Sequence, residues 1–214
     1  MSFHAMKIGR VLFNRNKPQV VLATGGGRIL LLDGDTGMVI TEGGSTIEAP
    51  DYGLGGMALE VVDLTGDGYD DVVFAPVYSP LSGLGGTVRS HIHVLKSNAA
   101  GDGLAAVSTP VPVGSTASGI PDDLIGYGAC GLAVLDLPTS PPISKAIVVT
   151  TMNGELVVFT QSNGVINPAP LYRKVVEGSV GAMNSIVLAN LDPADPKPEL
   201  YLGGSSGIRR FDFQ

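Results

Sequence analysis

Leu59-Glu60-Val61-Val62-Asp63-Leu64-Thr65-Gly66-Asp67-Gly68-Tyr69-Asp70-Asp71-Val72-Val73-Phe74-Ala75 sets two short apolar runs on either side of an acidic loop. Each run is about as long as a strand and rich in Val and Leu, side chains that suit a pleated, half-buried surface. The loop between them carries Gly and Asp, the residues that turn a chain. The local unit is therefore strand, polar loop, strand.

The same order recurs along the chain, with a Gly turn and a third strand added. Val11–Asn14, Gln19–Ala23 and Arg28–Asp33 form one copy. Leu59–Asp63, Asp71–Ala75 and His91–Leu95 form the second. Leu132–Asp136, Ala146–Thr150 and Glu155–Thr160 form the third, and Ile186–Asn190, Glu199–Leu202 and Ile208–Phe213 the fourth. Three copies add an outer strand, at Met38–Thr41, Ala105–Val113 and Leu171–Val176. No segment sustains the 3.6-residue apolar period of a helix. Quartets of strands at a period of about fifty residues predict an all-β chain folded as a β-propeller of about four four-stranded blades. The blades would cover roughly 7–44, 52–114, 126–177 and 178–214 of a single 1–214 domain. A β-sandwich is the alternative, although its strands do not recur in quartets. The last blade lacks an outer strand, and an open arc would leave strand edges bare. The segment before Val11, or another chain, would complete it.

Composition narrows the classes. Of 214 residues, 44% are hydrophobic and 15% charged, too apolar and too weakly charged for a disordered chain. One Cys rules out an internal disulfide. A net charge of −7, with no basic run, disfavours nucleic acid as a partner. No apolar stretch is long enough to cross a bilayer, and Met1–Arg10 holds no apolar signal core.

The loop from Asp63 to Asp71 carries the chemistry. Oxygen side chains stand at its first, third, fifth and ninth positions, with Gly68 at the sixth. Ca²⁺ takes six to eight oxygen ligands. Asp63, Thr65, Asp67 and Asp71 would supply side-chain oxygens, and Tyr69 its carbonyl. Leu64 would point into the blade, and Asp70 would face solvent. An acidic turn without metal is the plain alternative. The loop is not an EF-hand, because Phe74 falls where position twelve needs Glu.

Tyr52-Gly53, Gly55-Gly56-Met57-Ala58, the Asp63–Asp71 loop and Val72-Val73-Phe74-Ala75-Pro76 together resemble the FG-GAP (VCBS) repeat, which builds the propeller of integrin alpha subunits. Tyr52 stands for the usual Phe, and Phe74 replaces a Gly. The resemblance covers one blade and implies calcium at Asp63, Thr65, Asp67, Tyr69 and Asp71, with no catalytic residue. Tyr127-Gly128 followed by Asp136 repeats its opening. Arg28–Gly37 is similar to the blade repeat of quinoprotein dehydrogenases, without their tryptophans, and places Thr36-Gly37 in a turn. Asn190, Asp192, Asp195 and Glu199 read as a degenerate second metal loop.

Other motifs have structural readings. Gly25-Gly26-Gly27, Gly53–Gly56 and Gly83–Gly86 are hairpin turns, since no helix follows to make a phosphate cradle. His91 and His93 share one face of a strand and lack an obvious third ligand for a metal. Cys130 is a buried thiol with no His in its repeat. The function expected is a non-catalytic, calcium-stabilised interaction module that binds a protein or a glycan through the long segments Val77–Arg89 and Gly114–Gly126. The alternative is a propeller enzyme, a polysaccharide lyase or hydrolase with an axial site. A homo-oligomer, or completion by another chain, would close the propeller. An occupied calcium loop would suit an extracellular or cell-surface location.

Overall fold

A computed structural model describes residues 3–24, 28–40, 46–48, 53–78, 89–113, 129–137, 145–151, 154–176, 185–189, 199–204 and 207–212. They form strands and no helix, and every ladder among them is antiparallel between strands close in sequence. The first sheet runs β1 (Phe3–Gly9), β2 (Gln19–Thr24), β3 (Arg28–Asp33), β4 (Thr46–Glu48). In the second, β5 (Gly53–Val62), β6 (Asp71–Tyr78) and β7 (Arg89–Ser97) are followed by β8 (Leu104–Ala106) and β9 (Val111–Pro112), which both pair with β7. The third has β10 (Ala129–Asp136), β11 (Lys145–Thr151) and β12 (Glu155–Ser162), with β13 (Val165–Ile166) and β14 (Tyr172–Val175) both on β12. The fourth comprises β15 (Ser185–Ala189), β16 (Glu199–Gly204) and β17 (Gly207–Asp212). These four sheets are the blades of a four-bladed β-propeller, as the quartets predicted.

The core lies between blades, because each sheet is apolar on both faces. Val21, Ala23, Ile29 and Leu31 of the first blade meet Leu59, Val72, Phe74 and Leu95 of the second. Ala58, Val73, Ala75 and Val94, on the other face of the second blade, meet Leu132, Ile147, Val149 and Phe159 of the third. Leu135, Ala146, Val148 and Val158 then meet Leu200 and Leu202 of the fourth. Alternation along each strand sends neighbours to opposite interfaces, so one strand serves two cores. Inner strands come close where glycine allows it. A Cβ at Gly9 would stand 2.3 Å from Val61 Cγ1, and one at Gly131 2.7 Å from Thr150 Oγ1 and 3.0 Å from Ile186 Cγ2.

Several strand positions differ from the expectation. Val11–Asn14 is a loop, and the first strand of blade one is Phe3–Gly9, paired with β2. That pairing overturns the N-terminal segment as the strand that completes the fourth blade: Phe3–Gly9 already belongs to the first. Val11 and Leu12 are apolar because they are fully buried, and their amides both donate to Gln19 Oε1 at 2.9 Å. The outer strand of blade one is β4, while Met38–Ile40 makes only an isolated bridge from Val39 to Leu32. Gly53–Gly56 lies within β5 and not in a turn, and its register shifts there accommodate the glycines. Ala105–Val113 is divided into β8 and β9, with Pro110 just before β9. Thr36-Gly37 does turn the chain: Gly37 has φ 67°, and Asp33 Oδ1 accepts the amides of Asp35 and Thr36. Those Thr36 bonds, first among the causes, hold the Asp33 carboxyl below its usual range.

Candidate functional site

The nine-residue loop joins β5 to β6 on the second blade, and its own amides close it. Asp63 Oδ1 accepts the Gly66 amide at 2.6 Å and Oδ2 the Gly68 amide at 3.0 Å. Asp67 Oδ1 accepts the Tyr69 amide at 2.9 Å. Gly66 and Gly68 adopt φ of 76° and 85°, the left-handed region that other residues enter only at a cost. Asp71 Oδ2 accepts the amides of Leu64 and Thr65 at 2.8 and 2.9 Å, and Thr65 Oγ1 lies 3.5 Å from Oδ1. Leu64 is buried in the core between the second and third blades, as its position predicted. Asp67 is exposed, while Asp63, Thr65 and Tyr69 are half-buried.

The second anchor of the loop is the first blade. Asp70 was expected to face solvent; instead its Oδ2 accepts the Arg10 amide at 2.7 Å, and its own amide donates to the Arg10 carbonyl at 2.9 Å. The Tyr69 ring stands edge-on to Phe13, centroids 6.3 Å apart, and the Arg10 guanidinium lies 5.4 Å from the Tyr69 centroid. Sequence spacing gave no sign of this clamp, because its partners are some sixty positions apart.

Asp71 has a role that sequence reading missed. It is the first residue of β6, buried, and its carboxylate gathers two loop amides. Gln19, the first residue of β2, is buried and does the same for the amides of Val11 and Leu12. Glu199, the first residue of β16, is buried too. In the first two blades the polar side chain at this register position is thus a loop-closing device, and in blade one a neutral amide suffices. Burial raises the pKa of Asp71, against the lowering effect of the Thr65 and Leu64 amides.

Asp63, Thr65, Asp67, Asp71 and the Tyr69 carbonyl offer oxygen donors alone, which suits a hard cation. A carboxylate oxygen that accepts one amide keeps a further lone pair for a ligand. Among the described residues, no three His, Cys, Asp or Glu side chains are gathered closely enough to form a metal cluster. The carboxylates are spread along the turn, each turned toward loop amides. Of the second acidic loop, Asn190, Asp192 and Asp195 lie outside the described residues. So do Gly25–Gly27, Tyr52, residues 79–88 of the first long segment and 114–128 around the second, with Tyr127 and Gly128.

Elsewhere, Cys130 is buried, which pushes its thiol up to about 11 and away from nucleophilic chemistry. His93 is buried against the Phe74 ring, centroids 6.4 Å apart. Burial, with His91 beside it, lowers its pKa to about 4. The unfolded chain, with an ordinary value near 6.5, takes up this proton first as pH falls. The stability that the neutral imidazole contributes is therefore full above about 6.5 and is lost as pH falls toward 4. Between pH 7 and 5 we expect a loss of roughly 2 kcal/mol from this group. Urea unfolding at both pH values measures it, and His93→Leu should flatten the difference; an equal fall in the variant would assign it elsewhere.

No family model matches the chain, and no curated protein does. The FG-GAP resemblance stands on residues 52–76 alone. Among solved structures, the chain is similar in fold to BBS1N in a crystal structure with ARL6DN, soaked with mercury: 13% identity over 96% of this chain and 60% of that one, TM-score 0.39. A lead-soaked crystal of the same complex gives 12% identity, 97% and 61% coverage, and TM-score 0.39. The chain thus spans about three fifths of the length of these neighbours. No helix among the described residues is long and apolar enough to cross a membrane.

Proposed function

We propose that this protein is a non-catalytic propeller that binds another protein, with Ca²⁺ held by the loop from Asp63 to Asp71. The observation that carries the metal is the loop itself. Asp63, Thr65, Asp67, Tyr69 and Asp71 follow one another at alternate positions along a turn shaped by two left-handed glycines, Gly66 and Gly68, and that order of oxygen donors is what supports the reading. The cation would neutralise the carboxylates and stiffen the turn, while Asp71 goes on holding the Leu64 and Thr65 amides.

A protein partner, in preference to a glycan, is supported by the outer edge of the third blade. There Leu171, Tyr172 and Val175 are exposed on and beside β14, which pairs only with β12 among the described residues. A strand edge with aliphatic side chains offers main-chain hydrogen bonds and apolar contact to an extended peptide.

Calorimetric titration of the whole chain with CaCl₂ tests the metal. The wild type should bind one ion with a dissociation constant of about 10⁻⁴–10⁻³ M, the range of extracellular calcium modules. Asp67→Ala should bind none and keep its circular dichroism, because Asp67 is exposed and caps a single amide. Absence of heat from the wild type at millimolar calcium would remove the ion from this reading.

A further inference from the structure

We propose that the Asp63–Asp71 loop is a latch, through which cation binding and the docking of the first blade's Arg10–Phe13 segment strengthen each other. The latch rests on the Ca²⁺ proposed for this loop, and it extends that ion's effect to a second blade. Tyr69 and Asp71 are oxygen donors for the ion, and Asp70 between them is not. Asp70 Oδ2 accepts the Arg10 amide at 2.7 Å, and the Asp70 amide donates to the Arg10 carbonyl at 2.9 Å. Arg10 is thus held at both of its main-chain groups, once by a carboxylate, a strong acceptor. An ion that fixes the backbone at 69 and 71 fixes residue 70 between them. Tyr69 divides its two ends in the same way. Its carbonyl would go to the ion, while its ring stands edge-on to Phe13, with the Arg10 guanidinium over it.

The neighbouring blades are shaped for these contacts. A Cβ at Gly9 would stand 2.7 Å from Asp70 Oδ2, so a side chain there would push the carboxylate away from Arg10. Phe13 has a second neighbour in blade two, the turn between β7 and β8: a Cβ at Gly101 would stand 2.6 Å from Phe13 Cε2. Asn14 Nδ2 lies 3.5 Å from the Ala100 carbonyl of the same turn. Blade three reaches the acidic loop through the turn between β12 and β13, where a Cβ at Gly164 would stand 3.1 Å from Thr65 Cγ2. The loop therefore touches both adjoining blades.

The first blade's segment has two anchors of unlike strength. Val11 and Leu12 are fully buried, and Gln19 of their own blade holds their amides. Arg10 and Phe13 are exposed, Phe13 by 42%, and meet the acidic loop. These two can part from the loop while the buried pair stays in place. Without a cation, Asp63, Asp67 and Asp71 repel one another along one short turn, which loosens it and carries Tyr69 and Asp70 with it. With the cation the turn sets and both contacts close. Linkage makes the effect reciprocal: the factor by which the ion favours docking of Arg10 and Phe13 is the factor by which their docking favours the ion. Calcium level is thereby read as tightness of the junction between the first two blades.

Calorimetric titration of the full chain with CaCl₂, with hydrogen exchange as a second readout, tests this. Tyr69→Ala keeps every oxygen donor, its own carbonyl included, and removes the ring. Phe13→Ala lies outside the loop. Each should weaken calcium binding about two- to tenfold, the worth of one aromatic pair. The double variant should bind no more weakly than the weaker single one, and Tyr69→Phe, which keeps the ring, should match the wild type. Circular dichroism and thermal unfolding establish that the variants are folded. In the wild type, saturating CaCl₂ should slow exchange at the amides of Arg10 and Asp70 and leave those of β11 unchanged. That measurement needs no variant and decides the matter if one fails to fold. Undiminished calcium binding by both Phe13→Ala and Tyr69→Ala would overturn the latch and leave the ion in place. Exchange at Arg10 and Asp70 that is indifferent to bound calcium would do the same. Absence of heat from the wild type would remove the ion, and the latch with it.

Discussion

Phe159→Ala will lower the unfolding free energy by about 3–5 kcal/mol, the cost of emptying a fully enclosed aromatic site. Phe159 is 0% exposed and lies on β12 directly opposite Ile147. Both point to the interface where the third blade meets Val73, Ala75 and Val94 of the second. The surrounding side chains belong to two stiff sheets, so the hole cannot close by a local shift. Equilibrium urea unfolding should show a lower midpoint. Val165→Ala, at a half-exposed position on β13, should stay within about 0.5 kcal/mol of the wild type. A Phe159→Ala loss below ~1 kcal/mol would mean that the second and third blades do not share a core.

Asp71→Ala will cost roughly 2–5 kcal/mol even with a chelator present. The substitution strips the acceptor from the amides of Leu64 and Thr65, and each such loss costs about 1–3 kcal/mol where water cannot replace it. Asp71→Asn keeps one acceptor oxygen and should lose less. Asp67→Ala removes an exposed cap on the Tyr69 amide and should cost less than ~1 kcal/mol in chelator. The two aspartates are thereby separable: one matters to the fold without metal, the other to metal without the fold. Equal stability of Asp71→Ala and wild type in chelator would deny Asp71 its closing role.

What the sequence discloses here depends on the distance over which a signal acts. Strand quartets are legible because alternation and turn residues are local, and Leu64 or Cys130 could be placed inside from their neighbours alone. The Phe3–Gly9 strand was not legible, since His4 and Lys7 interrupt its apolar pattern and Gly9 adds nothing to it. Val11 and Leu12 misled in the opposite sense: they report burial, and a buried loop tied to Gln19 satisfies that as well as a strand does. In the candidate site, the spacing of oxygens was plain, but the pairing of Asp70 with Arg10 joins different blades and leaves no trace in either segment. Gln19 and Asp71 share a job although one is neutral and one acidic, so residue type hid what register makes plain.

Each sheet is drawn from an unbroken stretch of chain, and each core needs two successive sheets. A nascent polypeptide leaving the ribosome therefore has a fixed order of assembly. The first sheet emerges with Val21, Ala23, Ile29 and Leu31 uncovered, and they stay so until Leu59 through Leu95 have been synthesised. A translation product stalled in that interval displays a sticky aliphatic plane, the kind of surface on which holdase chaperones act.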